Sequence, residues 1–172
     1  STHLTKLSPT GQHIWTRTIE STGAVECNAV TADAEESVYV TGSFHGTCYF
    51  GGAEDSDSHT SEGLFDAFLS KFSSSGQHEW TQVWGGATGH RALDLAIDHS
   101  GNICVAGQFT PTRSFYHAAI QSFWPVLFRF TGEGNPVDNE GCAYVSTSAV
   151  PNAIAADERG WLYVVGYFND CI

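Results

Sequence analysis

Residues 69 to 80 read LSKFSSSGQHEW, and this stretch decides the fold because the chain carries it more than once. Residues 4 to 15 read LTKLSPTGQHIW, and residues 127 to 138 read LFRFTGEGNPVD. The pattern recurs with a period of about 60 residues, and such periods are typical of stacked supersecondary units. In the third copy Pro136 cannot donate a ladder hydrogen bond, so we expect a short, bulged or edge strand there.

A second motif follows each copy and ends in Gly-x-Phe. It reads AVTADAEESVYVTGSF up to residue 44, LAIDHSGNICVAGQF up to residue 109 and AIAADERGWLYVVGYF up to residue 168. Aspartates and glycines recur in register within it, at Asp33, Asp98 and Asp157 and at Gly42, Gly107 and Gly166. The aspartates are expected to accept backbone N–H bonds in the turn that follows. The glycines are expected to permit close packing between neighbouring sheets.

Each copy contains two hairpin patterns. In the first, the glycine at the end of the turn (Gly11, Gly76 and Gly134) is expected to supply the positive φ that a short hairpin loop needs. The second runs through an Asp-containing turn between two strands that are nearly all apolar or small, which is typical of sheets covered on both faces. No segment shows the apolar spacing of an amphipathic helix. Two hairpins make one four-stranded antiparallel sheet, the unit of a β-propeller.

The sequence therefore predicts an all-β chain, a β-propeller segment of three four-stranded antiparallel blades, open unless completed by further blades or subunits. The expected blades span residues 3–50, 66–112 and 126–170, with interblade loops at 51–65 and 113–125. The chain also lacks methionine, so we expect it to be a mature or internal portion of a longer precursor.

The second copy resembles the SBBP-type β-propeller repeats, through FDAFLSKFSSSGQHEWTQVWGG at residues 65 to 86 and DLAIDHSGNICVAGQF at residues 94 to 109. The resemblance covers nearly the whole chain. It implies a multi-bladed propeller of secreted or cell-surface proteins, with motif residues that are structural. On this basis Trp15 and Trp80 are expected to be largely buried at equivalent positions between blades.

Composition limits the partners. Seven basic and nineteen acidic residues give a net charge of −12, which repels phosphate backbones and anionic lipid headgroups. We therefore expect no nucleic-acid partner and, without an apolar run of about 20 residues, no membrane insertion. Only 15% of residues are charged, which suits an extracellular or cell-surface protein. The five cysteines show no CxxC spacing, and in an oxidising compartment their odd number leaves one without a partner in the chain.

No motif indicates catalysis, since the sequence has no HExxH, GxSxG or phosphate-binding glycine loop. His13 and His78 occupy equivalent repeat positions, which favours an architectural role over a catalytic one. The acidic loop 54–62 offers oxygen ligands for calcium but lacks EF-hand spacing. We therefore expect no catalytic, cofactor-binding or metal residues and no cofactor.

The expected function is that of a non-enzymatic extracellular structural or interaction module, with protein partners or neighbouring subunits bound by its loops. The alternative is a carbohydrate-binding or carbohydrate-active propeller, with a glycan as ligand. It rests on aromatic residues at Phe115, Tyr116, Phe123, Trp124 and Trp161. Sugar-binding propellers use such residues where they are exposed, but packing between blades is the favoured role for them here.

Overall fold

The computed structural model describes residues 1–52, 57–109, 124–137 and 149–168, and for residues 109, 124–126, 149 and 168 the backbone alone. Within these ranges the chain forms thirteen strands and no helix. No helix able to cross a membrane therefore occurs in the described ranges. In chain order the strands are β1 (Thr2–Leu7), β2 (His13–Ser21), β3 (Val25–Ala32), β4 (Val38–Phe44), β5 (Thr47–Tyr49), β6 (Ser58–Thr60), β7 (Asp66–Phe72), β8 (His78–Trp84), β9 (Arg91–Ile97), β10 (Ile103–Phe109), β11 (Trp124–Phe130), β12 (Ala149–Ala156) and β13 (Leu162–Phe168).

The strands form four sheets. Sheet A has the order β1-β2-β5-β6, sheet B has β3-β4-β7-β8, sheet C has β9-β10-β11 and sheet D has β12-β13. All neighbouring strands within them run antiparallel. The expected all-β, antiparallel class is thus confirmed.

The grouping of hairpins into sheets differs from the expected one. Strand β4 pairs with β7 along its whole length, so sheet B joins the second hairpin of the first repeat copy to the first hairpin of the second copy. The sheets therefore do not follow the expected bounds 3–50, 66–112 and 126–170. A repeat fixes which hairpins are equivalent, but it leaves open whether a hairpin continues its sheet with the preceding or the following hairpin. In this chain the hydrogen bonds between β4 and β7, which are joined by the long connection 45–65, determine how the hairpins are grouped.

The sheets pack face to face in the order A, B, C, D, and each interface has its own apolar cluster. Between A and B, Ile19 lies with Val40, Phe44 and Phe68, all 0–2% exposed. The cluster between B and C contains Tyr39, Leu69, Leu95, Ile103 and Val105. The cluster between C and D contains Cys104, Ala106 and Ile154. Burial of each large apolar side chain contributes about 1.5–3 kcal/mol to the free energy of folding, so these clusters hold the sheets together.

The first-hairpin turns have the expected backbone. Gly11, Gly76 and Gly134 have φ of +79°, +79° and +83°, which confirms their predicted role. In the second hairpin, Gly101 and Gly160 take this conformation, at +82° and +85°. In the first copy the same position is occupied by Glu36 at φ +63°, which the motif did not reveal.

The repeated glycine of the second motif has another role than the expected one. A Cβ on Gly42 would overlap the carbonyl oxygen of Glu26, and one on Gly166 would overlap that of Val150. Both carbonyls belong to the paired strand of the same sheet, next to a register shift. Gly107 also lies beside a register shift, in the β9–β10 pair. Gly42 and Gly166 thus accommodate a β-bulge within the sheet, and their close neighbour is not an adjacent sheet.

Candidate functional site

The two repeated tryptophans link neighbouring sheets. The indole N–H of Trp15 donates to the carbonyl of Ser74 at 3.1 Å, and that of Trp80 donates to Gly132 at 3.3 Å. Each ring lies against the turn glycine of the next sheet, and a Cβ on Gly76 would meet the Trp15 ring at 2.8 Å. Trp15 is 8% exposed and Trp80 is half-buried. Their equivalence and their contact with the adjacent sheet are as predicted, although the burial of Trp80 is less complete.

The three repeated aspartates organise the second-hairpin turns. Asp33 Oδ1 accepts from Ser37 N at 2.8 Å, Asp98 Oδ1 accepts from Ser100 N at 2.8 Å, and Asp157 Oδ1 accepts from Trp161 N at 2.9 Å. The predicted turn-forming role is confirmed. In two copies the second carboxylate oxygen also accepts a tyrosine hydroxyl at 3.0 Å, from Tyr39 to Asp33 and from Tyr163 to Asp157.

At Asp98 and Asp157 these hydrogen bonds contribute to a lowered carboxyl pKa. The backbone N–H of Trp161, followed by the hydroxyl of Tyr163, holds the pKa of Asp157 below its usual value. For Asp98 burial acts in the opposite direction, but hydrogen bonds from Asn102 and Ser100 and the nearby guanidinium of Arg129 outweigh it, so the pKa of Asp98 is also lowered. The bonds therefore favour the ionised carboxylates in the folded chain.

The repeated histidines belong to hydroxyl networks. His78 Nε2 lies 2.9 Å from Thr81 Oγ1, which lies 3.0 Å from Ser70 Oγ. The first copy repeats this geometry with His13, Thr16 and Thr5, at 2.9 and 3.0 Å. Ser70 is 0% exposed and Thr81 9%, so neither hydroxyl can reach a substrate. In the first copy His13, Thr16 and Thr5 are exposed, so only the second network buries its hydroxyls. The recurrence of the same contacts in both sheets supports the architectural interpretation.

The sequence did not reveal a fourth member of the His78 network. Asp57 places one carboxylate oxygen 3.1 Å from His78 Nε2 and the other 2.8 Å from His59 Nε2. Asp57 lies outside both motifs, so the only signal was its place in the acidic loop. Beside it a cleft of about 480 Å³ lies between sheets A and B, lined by Arg17, Thr18, Phe50, Gly51, Phe72, Gly76, Gln77 and His78. The Arg17 guanidinium in this cleft donates to the carbonyls of Gly76 and Ser75, which fastens sheet A to sheet B.

Among the described residues, no group of three or more His, Cys, Asp and Glu side chains is placed to hold a metal ion. Three members of the acidic loop 54–62, Glu54, Asp55 and Ser56, lie outside the described residues. Cys27, Cys48 and Cys104 are free thiols, and the remaining cysteines, Cys142 and Cys171, also lie outside the described ranges. Burial raises the pKa of the Cys48 thiol to about 12, which makes it a poor nucleophile.

The candidate site is the open face of sheet D, which we define as Tyr163, Val165 and Tyr167 on β13. These side chains are 59%, 64% and 64% exposed, and Trp161 in the preceding turn is 66% exposed. The alternating residues Leu162 and Val164 turn the other way and pack on sheet C. Strand β13 is therefore apolar on both faces, while only one face is covered by the described residues. Of the other aromatic residues considered for the carbohydrate alternative, Phe115, Tyr116 and Phe123 and the side chain of Trp124 lie outside the description.

The sequence contained a signal for this face that motif matching obscured. At the positions of Thr41 and Ser43 in the first copy, the third copy has Val165 and Tyr167. Replacing small polar residues by larger apolar ones at an exposed face is unusual unless another surface covers it. A scan of protein-family models finds no match to the chain, and comparison with curated proteins finds none either.

Proposed function

We propose that the chain is a non-enzymatic, extracellular structural or interaction module, built as a segment of a β-propeller, that binds another protein chain through the open face of sheet D. The observation that carries this proposal is the exposure of Tyr163, Val165 and Tyr167, whose equivalents in sheet B are 0–2% exposed. Contiguous exposed apolar side chains mark interaction surfaces, and aromatic residues are enriched in them. The propeller assignment is supported by the repeat, by the A-B-C-D packing of sheets and by the SBBP resemblance.

The repeated polar networks support a role without chemistry. The repeated His, Thr and Asp side chains are engaged in turns and in hydroxyl contacts within one sheet, and the same geometry recurs from copy to copy. A catalytic group needs a reactive atom that faces a substrate, whereas the hydroxyls of Ser70 and Thr81 are buried.

A carbohydrate-binding role is the second candidate. It is favoured by the two adjacent exposed aromatics Trp161 and Tyr163, which offer flat apolar surface beside a polar turn. The two candidate functions differ in what the open face binds. Substitutions on this face are therefore expected to abolish protein association under the first and glycan binding under the second.

The test compares protein association with sugar binding. Light scattering over a concentration series is expected to show association of the wild-type chain, and the double variant Tyr163→Ser/Tyr167→Ser is expected to lose it. The control is Leu64→Ser, because Leu64 is 68% exposed but lies outside sheet D. A glycan array and a glycoside hydrolysis assay run in parallel. Specific glycan binding that is lost in the double variant, or turnover of a glycoside, would contradict the proposal.

A further inference from the structure

The cleft between sheets A and B contains a cation that pairs with no carboxylate of the described residues. Arg17 lines this cleft of about 480 Å³, and none of the ion pairs in the described ranges involves its guanidinium. Of its five N–H groups, three donate to backbone carbonyls, to Gly76 at 2.5 Å, to Ser75 at 3.1 Å and to Thr16 at 3.3 Å. Two N–H groups of a positively charged side chain therefore remain for a ligand.

The guanidinium of Arg17 is held in one place before any ligand arrives. Its central carbon lies 5.8 Å from the centre of the Trp15 ring, and a Cβ on Gly76 would come within 3.1 Å of its Nε. The three carbonyls also fix its plane. Because the group is already ordered, binding of a ligand costs less conformational entropy than it would at a mobile surface arginine.

The repeat shows that packing between sheets does not require this cation. Sheet B has Gln82 at the position that Arg17 occupies in sheet A, and sheet B still packs on sheet C. A half-buried cation is costly unless a partner compensates its charge. The arginine is therefore a departure from the repeat that a bound anion explains.

The other walls of the cleft indicate which anion fits. A carboxylate has two oxygens that match the planar donor fork of a guanidinium. Gln77 is exposed at the rim of the cleft and brings a side-chain amide as a further donor, and Phe50 and Phe72 supply apolar surface. The net charge of −12 repels polyanions such as phosphates at long range. These features favour a single carboxylate on an apolar or ring-shaped body.

We propose that the cleft between sheets A and B binds a small ligand of this kind, with its carboxylate on Arg17 and Gln77 and its body against Phe50 and Phe72. The volume of about 480 Å³ lies within the range of about 300–1,000 Å³ that is typical of small-molecule sites. The site is separate from the open face of sheet D, so the inference goes beyond the proposed function and does not rest on it.

Isothermal titration with three carboxylates tests the site and identifies the source of the ligand. Phenylacetate represents a free organic acid, glucuronate a sugar acid and N-acetylphenylalanine the end of a peptide. The neutral control for each is its own amide. At least one carboxylate is expected to bind with a millimolar or lower Kd and its amide at least about tenfold more weakly. Binding of none of the three, or equal binding of acid and amide, overturns the proposal.

Two substitutions locate the binding. Arg17→Gln introduces the residue that sheet B has at the equivalent position, and Gln77→Glu places a like charge at the rim. Each is expected to weaken carboxylate binding at least about tenfold. The matched control is Gln12→Glu, because Gln12 has the same repeat position and is exposed but lies outside the described lining of the cleft.

Thermal unfolding checks that the variants are folded, and if Arg17→Gln is not, the exposed Gln77→Glu decides. An unchanged affinity in either folded variant, or an equal loss in Gln12→Glu, refutes the site. The variant Tyr163→Ser/Tyr167→Ser is expected to bind the carboxylate as the wild type does. Loss of protein association in that variant therefore tests the proposed function separately from the cleft.

Discussion

Strands β4 and β13 share four of seven residues and have very different surroundings. Residues 38 to 44 read VYVTGSF and residues 162 to 168 read LYVVGYF. Each strand carries a tyrosine whose hydroxyl donates to the turn aspartate at 3.0 Å, and each has its glycine beside a bulge. Yet Tyr39 is 2% exposed and Tyr163 is 59% exposed, because sheet C covers β4 and no described residue covers β13 in the same way.

The comparison separates local from tertiary causes. The turn, the bulge and the tyrosine–aspartate bond are the same in both strands, so they follow from the local motif. Burial differs because it depends on the neighbouring sheet. The surroundings also affect the pKa values of the two hydroxyls. Burial is the main cause that raises the pKa of Tyr39. For Tyr163 the main cause that raises the pKa is the hydrogen bond to Asp157.

The largest expected effect is on stability at the equivalent tyrosines. Tyr39→Ala removes a buried aromatic ring between sheets B and C and is expected to lower the free energy of unfolding by about 3–5 kcal/mol. Tyr163→Ala is expected to change the melting temperature of the dilute chain very little, because its ring is exposed. Thermal unfolding of both variants at low protein concentration measures the difference. Similar losses in the two variants would mean that the ring of Tyr163 is covered even in the dilute chain.

A smaller effect is expected at the bulge glycines, where the two strands should behave alike. Gly42→Ala and Gly166→Ala each place a methyl group against a backbone carbonyl of the paired strand, which costs about 1–3 kcal/mol. Gly11→Ala is the control, because its Cβ would meet no atom within 4 Å and only the positive φ opposes it. Urea denaturation measures all three. If only Gly42→Ala lowers the free energy of unfolding, then contact between sheets, and not the bulge, is the reason why this position requires glycine.

The smallest expected effect is the pH dependence that the turn aspartates contribute. The pKa values of Asp98 and Asp157 are lower in the folded chain than in the unfolded one, so unfolding takes up protons as the pH falls. The stabilisation is complete above the unfolded pKa of about 3.9 and is lost as the pH drops through the lower folded values. Asp98→Asn and Asp157→Asn are expected to flatten the fall in stability below about pH 4. If the free energy of unfolding falls with pH as steeply in both variants as in the wild type, the lowered pKa values of Asp98 and Asp157 are contradicted.

Much of the local structure could be predicted from the sequence. The repeat predicted the hairpins, the positive φ at Gly11, Gly76 and Gly134, the aspartate-capped turns and the inter-sheet position of Trp15. These features depend on residues close together in the chain or on a side chain that recurs in register. They are therefore visible in each copy separately.

The remainder depends on relations between copies. The pairing of β4 with β7 cannot be read from a periodic sequence, because either grouping of hairpins gives the same period. Asp57 reaches His78 across the A–B interface from a loop without a repeat counterpart. An open segment with uncovered terminal blades was predicted, but the residues that form the open face of sheet D were not, because β13 matches the motif of a strand that is buried in sheet B.

Hydrogen exchange of the β4 and β13 amides in dilute and concentrated protein tests the central claim most directly. The amides of β4 pair on both edges of the strand and are expected to exchange slowly at either concentration. Among the described residues β13 pairs only with β12, so its amides are expected to exchange faster than those of β4 in the dilute chain. They are expected to become protected as the concentration rises, because another protein chain then covers the open face of sheet D. Fast exchange of the β13 amides at both concentrations, or equal protection at both, would contradict the claim that this face binds another protein chain.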